Sequence, residues 1–252
     1  MIEKESRDGV TVVRLVHGKV NAFDIELIDA LVTELTALSS TDTDAVVLTG
    51  TEEVFSAGVD LHRLTSGGRD YVRQFLPMMG DAFFKVFTFP KPLVAAVNGH
   101  AVAGGCILAC ACDYRVMAEG PGRIGTPELS VGVPFPSIAM EILRLTIRTD
   151  RLQAFIYQGM LCTPDEALEE GVVDEVVPAD DLIDRAVETA ARLGRIPAAS
   201  FALTKRLIRQ PSQDRVARHT RAIDQEVLEA WISRDVQAAV EAYVARTLRK
   251  PT

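Results

Sequence analysis

Three short stretches carry residues that could do chemistry together. Ala103-Gly104-Gly105-Cys106 sets a glycine pair at the start of an apolar helical run that continues through Ala111. Without a Cβ, such a pair lets the backbone approach a ligand closely. The first N–H groups of a helix have no internal partners and sit at the positive end of its dipole. Gly104 and Gly105 are therefore suited to hold negative charge developing on an oxygen. Val54-Phe55-Ser56-Ala57-Gly58-Val59-Asp60-Leu61 is a second run of small residues between apolar flanks, able to present N–H groups in the same way. Ile124-Gly125-Thr126-Pro127-Glu128-Leu129-Ser130-Val131-Gly132 places one carboxylate among apolar neighbours. Taken singly, each has a plain structural meaning. Gly-Gly can be a close-packed turn, Asp60 a helix cap, and Glu128 a surface or capping acid.

The elements around these stretches alternate strand and helix. Val10 to Val16 is a β-branched run, His17 to Asn21 a turn, and Asp24 can cap a helix to about Ser39. Ala45 to Gly50 reads as a buried strand, Lys91 to Gly99 as an apolar β-prone run ending in a turn, and Asp113 to Ala118 as another strand. Such β–α–β units indicate parallel strands with crossover helices, an α/β fold. Thr65 to Asp70 is polar and glycine-rich and predicts a mobile loop. Tyr71 to Phe89 predicts a helix carrying Val72, Phe75, Leu76, Met79, Phe83, Phe84 and Phe87, a face that can wall a pocket but more often fills core. Helices follow at about 137–147 and 151–158, and Thr163-Pro164-Asp165-Glu166 has the form of a capping box. From Asp181 onward the chain reads as helical, with breaks near Pro197 and Pro211. Val227, Trp231, Ile232, Val236, Val240 and Tyr243 form an apolar face there that needs the core or another subunit as partner.

Composition narrows the classes. At 252 residues with 48% hydrophobic content, the chain has ample material for a large core. A formal net charge of −8 argues against a general nucleic-acid surface. No uninterrupted apolar segment reaches membrane-spanning length, and the acidic start is no signal peptide, so a cytoplasmic protein without membrane association is expected. Cys106-x3-Cys110-x-Cys112 lacks paired C-x2-C spacing and no histidine follows at a ligand interval, so no metal is expected. No G-x-G-x-x-G follows the β-prone run at 91–99, so no dinucleotide cofactor is indicated either.

Together the motifs resemble the enoyl-CoA hydratase/isomerase family, the crotonase fold. Val54-Phe55-Ser56-Ala57-Gly58-Val59-Asp60-Leu61 looks like that family's first oxyanion loop. Ala95-Ala96-Val97-Asn98-Gly99 followed by Ala103-Gly104-Gly105-Cys106 looks like its second. The resemblance implies a crotonase-like ββα spiral core over residues 1–195, with a C-terminal helical region over 196–252 that builds a homotrimer or dimer of trimers. It implies that the backbone N–H groups of Val59 and Gly104 grip a thioester oxygen. It also implies that Ala57, Asp60 and Leu61 lie where the family wraps coenzyme A, which arrives as part of the substrate.

Family hydratases usually carry one glutamate directly after Gly-Gly-Cys and a second in the downstream Pro-Glu element. Here Ile107 stands at the first position and Glu128 at the second. Hydration benefits from two acid/base groups, whereas one carboxylate suffices to move a double bond. The text at 55–61, 103–106 and 112–115 is similar to the Δ3,Δ2-enoyl-CoA isomerases of the family. The leading expectation is therefore an acyl-CoA double-bond isomerase. The alternatives are another oxyanion-based reaction (hydration, hydrolysis or decarboxylation) and a non-catalytic acyl-CoA-binding protein. Asp60 and Asp113 are expected to fix backbone, His62 and His100 to be hydrogen-bonded structural histidines, and Glu141 to be solvated.

Overall fold

The computed structural model describes residues 1–219 and 222–247. The strands are β1 (Ile2–Arg7), β2 (Val10–Leu15), β3 (Ala45–Thr49), β4 (Val54–Ser56) and β5 (Leu93–Val97). They continue as β6 (His100–Val102), β7 (Tyr114–Ala118), β8 (Ile124–Gly125), β9 (Leu161–Cys162) and β10 (Glu175–Val177). One sheet has the order β1-β2-β3-β5-β7-β10 and a second the order β4-β6-β8-β9. Pairing is parallel except at β1–β2 and β8–β9.

Successive turns of the chain each give one strand to each sheet and then a helix. After β3 and β4 comes α2, after β5 and β6 comes α3, and after β7 and β8 come α4 and α5; α1 (Ile25–Ser39) precedes them. Their bounds are α2 (Leu61–Phe87), α3 (Gly104–Ala111), α4 (Glu128–Val131) and α5 (Ser137–Thr146). This is the ββα spiral that the family resemblance implied. Strands β3 and β5 are buried on both faces, which is why they read as continuous apolar runs. Val46 and Leu48 face the main core, while Ala45 and Val47 face a smaller one. Pairing along the second sheet brings the ends of β4, β6 and β8 together, and the motif segments follow those ends.

The chain continues through α6 (Leu152–Tyr157), α7 (Pro164–Glu169), α8 (Leu182–Gly194), α9 (Ala198–His219), α10 (Ile223–Trp231) and α11 (Arg234–Thr247). The helix starts at Asp24 and Thr163 form as expected. Asp24 accepts from Leu27 N at 2.8 Å, and the Thr163–Glu166 capping box closes in both directions. The smaller core is covered by α8 through Leu182, Ala186 and Ala190.

Three expectations need correction. Residues 65–70 are helical, part of α2, with a kink only at Gly68 (φ 61°, ψ −158°). Buried Leu64 and Val72 anchor the two sides of that kink, so packing overrides the polar local composition. Pro211 does not end a helix but sits inside α9. The carbonyl it leaves without a helical partner belongs to Leu207, which is 65% exposed, so water can satisfy it. Glu141 is not solvated but 7% exposed, held by Arg215 at 2.7 Å.

The apolar face of the C-terminal helices finds its partner in the chain's own core. Val227, Trp231, Ile232 and Val240 are buried there. Helix α9 is anchored through Asp113, whose carboxylate meets Lys205 Nζ at 2.7 Å and Arg209 Nη2 at 2.9 Å. Asp113 also accepts from Leu93 N, which bears out its expected backbone-fixing role.

Candidate active site

Segments 20–23 and 54–61 are laced together so that one amide stays free. Ala57 N donates to Val20 O at 3.0 Å, Gly58 N to Ser56 Oγ at 3.1 Å, and Asp60 N to Phe23 O at 3.0 Å. Val59 N, in the middle, makes no hydrogen bond among the described residues. Gly58 has φ +78°, and a Cβ there would stand 2.7 Å from Val102 O and 3.0 Å from Gly104 N. The loop therefore lies against the start of α3, and only glycine fits both the conformation and the contact.

The second amide arises from a similar exhaustion of partners. Ala103 N donates to Gly125 O at 2.8 Å, and Gly104, first residue of α3, is left with an N–H that is free among the described residues. Ala103 adopts φ 53° and ψ −122°, a costly conformation for a residue with a side chain. Gly105 has no room for one, since a Cβ would lie 2.2 Å from Ser56 O. That contact binds α3 to β4, and with it Gly104 to the Val59 loop. Two unpaired amides thus belong to two abutting loops, as a carbonyl-oxygen site requires.

Buried Asn21 holds the first loop in place. Its amide nitrogen donates to Val54 O at 3.1 Å, and Ser56 Oγ donates to Asn21 O at 2.8 Å. Sequence patterning gives Asn21 only as the end of a turn. Its clamping role depends on partners more than thirty residues away.

Glu128 opens α4, which ends at Gly132 in the left-handed region. The residue is only 8% exposed, and Oε2 has no hydrogen-bond partner among the described residues. Burial pushes its pKa from the usual 4.5 up to about 8, against a smaller lowering by its own backbone N–H. Ile107, one turn into α3, is 3% exposed and supplies no second carboxylate.

A cavity of about 700 Å³ joins these parts. Its lining includes all six residues singled out from the sequence: Glu128, Val59, Gly104, Ala57, Asp60 and Leu61. Asp60 also caps α2, accepting from Arg63 N at 2.9 Å. Of the expected pocket wall in α2, Met79 and Phe83 face the cavity, whereas Phe75 and Phe87 are fully buried core. His100 is structural as expected, its Nδ1 accepting from Arg123 N at 3.2 Å, and it also lines the cavity. His62 departs from expectation: it is exposed at the cavity mouth, with no hydrogen-bonding side-chain partner among the described residues. Phe135, Trp231 and Tyr243 complete the wall. The apolar face carrying Trp231 and Tyr243 is visible in the sequence, but its destination is not.

The four cysteines are buried, and Cys106 Sγ lies 3.9 Å from Cys110 Sγ. No helix among the described residues is long and apolar enough to cross a membrane.

Comparison with known proteins agrees with this geometry. The family model for enoyl-CoA hydratase/isomerase matches residues 5–251. The mitochondrial enoyl-CoA delta isomerase 1 of Mus musculus is 31% identical, over 99% of this chain and 88% of its own length. The 2,3-dehydroadipyl-CoA hydratase of Escherichia coli is 30% identical over 77% of this chain and 75% of its own. Among solved structures, human mitochondrial delta3-delta2-enoyl-CoA isomerase superposes with a TM-score of 0.92 at 29% identity, covering 97% of each chain.

Proposed function

This chain belongs to the enoyl-CoA hydratase/isomerase family, and we propose that it is a Δ3,Δ2-enoyl-CoA isomerase. One observation carries the reading: a single unpaired, buried carboxylate shares an apolar cavity with two free backbone amides, and Ile107 stands where hydratases bring a second acid. Similarity to the mouse and human isomerases supports it.

The substrate thioester oxygen accepts from Val59 N and Gly104 N. Glu128 takes a proton from C2 of the 3-enoyl group, and the electron pair moves into a dienolate whose charge rests on that oxygen. The protonated Glu128 then returns the proton at C4, leaving the double bond between C2 and C3. No atom is gained or lost. A carboxylate raised by burial is a stronger base than one in water, and the amides stabilise charge only once it develops. Ala57, Asp60 and Leu61 border the coenzyme A portion.

Purified protein should convert 3-hexenoyl-CoA to 2-hexenoyl-CoA, followed by chromatography and mass. Rapid hydration of 2-hexenoyl-CoA would instead assign the hydratase reaction, with another group activating water. Because the base must be ionised, kcat/KM should rise about tenfold per pH unit at low pH and level off above about 8. A profile already flat from pH 5 would rule out Glu128, in this environment, as the base.

For assembly we propose a homotrimer or dimer of trimers. Leu203, Leu207 and Ile208 on α9 are 48%, 65% and 58% exposed in the single chain, which supports burial by further copies.

A further inference from the structure

The cavity lining is of two unlike kinds. Among its lining residues Lys19, Val20 and His62 are exposed. Val131, Val133, Phe135 and Trp231 line it elsewhere and are buried. Val131 and Val133 follow Glu128 on α4 and the turn after it. A thioester held by Val59 N and Gly104 N, with its polar coenzyme portion toward the exposed lining residues, directs its acyl chain toward the buried ones.

Trp231, one of these buried lining residues, is fixed from several sides. Its indole N–H donates to Pro134 O at 2.9 Å, and its own carbonyl accepts from Gln237 Nε2 at 2.7 Å. The side chain is part of the main core, with the residue 2% exposed. Helix α11 is pressed against the turn after Glu128: a Cβ on Gly132 would stand 3.1 Å from Ala239 Cβ. A tryptophan packed into the core and hydrogen-bonded at its only polar atom cannot swing aside without leaving Pro134 O unpaired and opening a void.

We propose that Trp231 is the end wall of the acyl pocket and sets an upper limit on acyl length. The enzyme then takes short- and medium-chain enoyl-CoAs and discriminates against long ones. This inference rests on the acyl-CoA reading of the cavity, though not on the reaction.

The test uses saturated acyl-CoAs, which bind without reacting, in the full-length protein. Kd is measured for butanoyl-, hexanoyl-, octanoyl-, dodecanoyl- and hexadecanoyl-CoA, alongside kcat/KM for the 3-enoyl counterparts. Wild type should bind more tightly with length as far as octanoyl-CoA and more weakly from dodecanoyl-CoA onward. In Trp231→Ala the dodecanoyl-to-octanoyl affinity ratio should rise about tenfold or more, the scale of a methylene-sized discrimination. Trp231→Leu should shift the ratio the same way and covers the case in which the alanine variant fails to fold. Trp231→Phe, which keeps a ring there, should hold the limit near octanoyl-CoA.

An unchanged ratio in folded Ala or Leu variants, or no length limit in wild type, overturns the end wall. No turnover of any 3-enoyl-CoA, with length-limited binding intact, overturns the isomerase assignment and leaves the wall standing. Failure of every acyl-CoA to bind overturns both.

Discussion

Glu128→Gln is expected to abolish measurable isomerisation, lowering kcat by about 10²–10⁴-fold or more while leaving KM within a few-fold. Glutamine is nearly the shape of glutamate, so the cavity stays closed and the two amides stay in place. What disappears is the group that carries the proton from C2 to C4. The same substitution should change stability in a direction that a surface acid would not. In wild type, folding raises the carboxyl pKa from 4.5 to about 8. Between those values the folded state keeps a proton that the unfolded state has released, so stability falls as pH rises. Above about 8 both states are ionised and the loss is complete. The variant has no such titration. Its stability relative to wild type should therefore improve from pH 5 to 8 and hold constant above, whatever the offset at pH 5. Urea denaturation across that range measures this. Full activity in the variant would move the base elsewhere, and a pH-independent stability difference would mean the carboxylate is hydrated.

Asp113→Ala should carry the largest stability cost of the substitutions considered. Asp113 faces Lys205 and Arg209, both with side chains only 7% exposed. Removing one partner of a buried ionic cluster typically costs about 3–5 kcal/mol, because the remaining charge has neither water nor a counterion. In a chain of this size that corresponds to a fall in Tm of roughly 6–20 °C. The two cations are not equivalent. Burial outweighs the attraction of Asp113 and lowers the Lys205 pKa to about 8, so this residue can shed its proton. Arg209 cannot, although it keeps its bonds to the carbonyls of Ala111 and Cys112 at 3.0 and 3.2 Å. Asp113→Ala should therefore be least damaging at high pH. Asp113→Asn should fall between, since it can still accept from Leu93 N. A loss below about 1 kcal/mol would mean that the cluster is solvated, as surface ion pairs are.

Much of the α/β core is legible because its strands and helices are locally consistent. Val10–Leu15 declares itself as a strand by its β-branched residues, and Ala45–Thr49 and Leu93–Val97 by nearly continuous apolar composition. The helix from Ile25 is announced by the Asp24 cap and its apolar spacing. The strand at Ile2–Arg7 is not legible: as a sheet edge it carries mostly exposed polar residues, and its pairing with β2 gives it its structure. Pro211 and the Gly67-Gly68 pair mislead for a related reason. They weaken a helix locally, while buried neighbours along α2 and an exposed orphan carbonyl in α9 let the helix continue.

By itself the sequence determined which residues could do the chemistry: a glycine pair at a helix start, a small-residue loop ending in Val59-Asp60, and one carboxylate at 128 with isoleucine at 107. These are matters of residue type and order, and backbone conformation follows from them over a few positions. Only the tertiary structure decided that Val59 keeps its amide free between bonded neighbours and that the free amide of Gly104 belongs to a helix start packed against that loop. It likewise decided that Glu128 is buried without a partner and that Trp231 and Tyr243 help wall its cavity. Hydrogen-bond satisfaction and burial depend on groups brought together from distant parts of the chain, and no local pattern encodes which of them will meet.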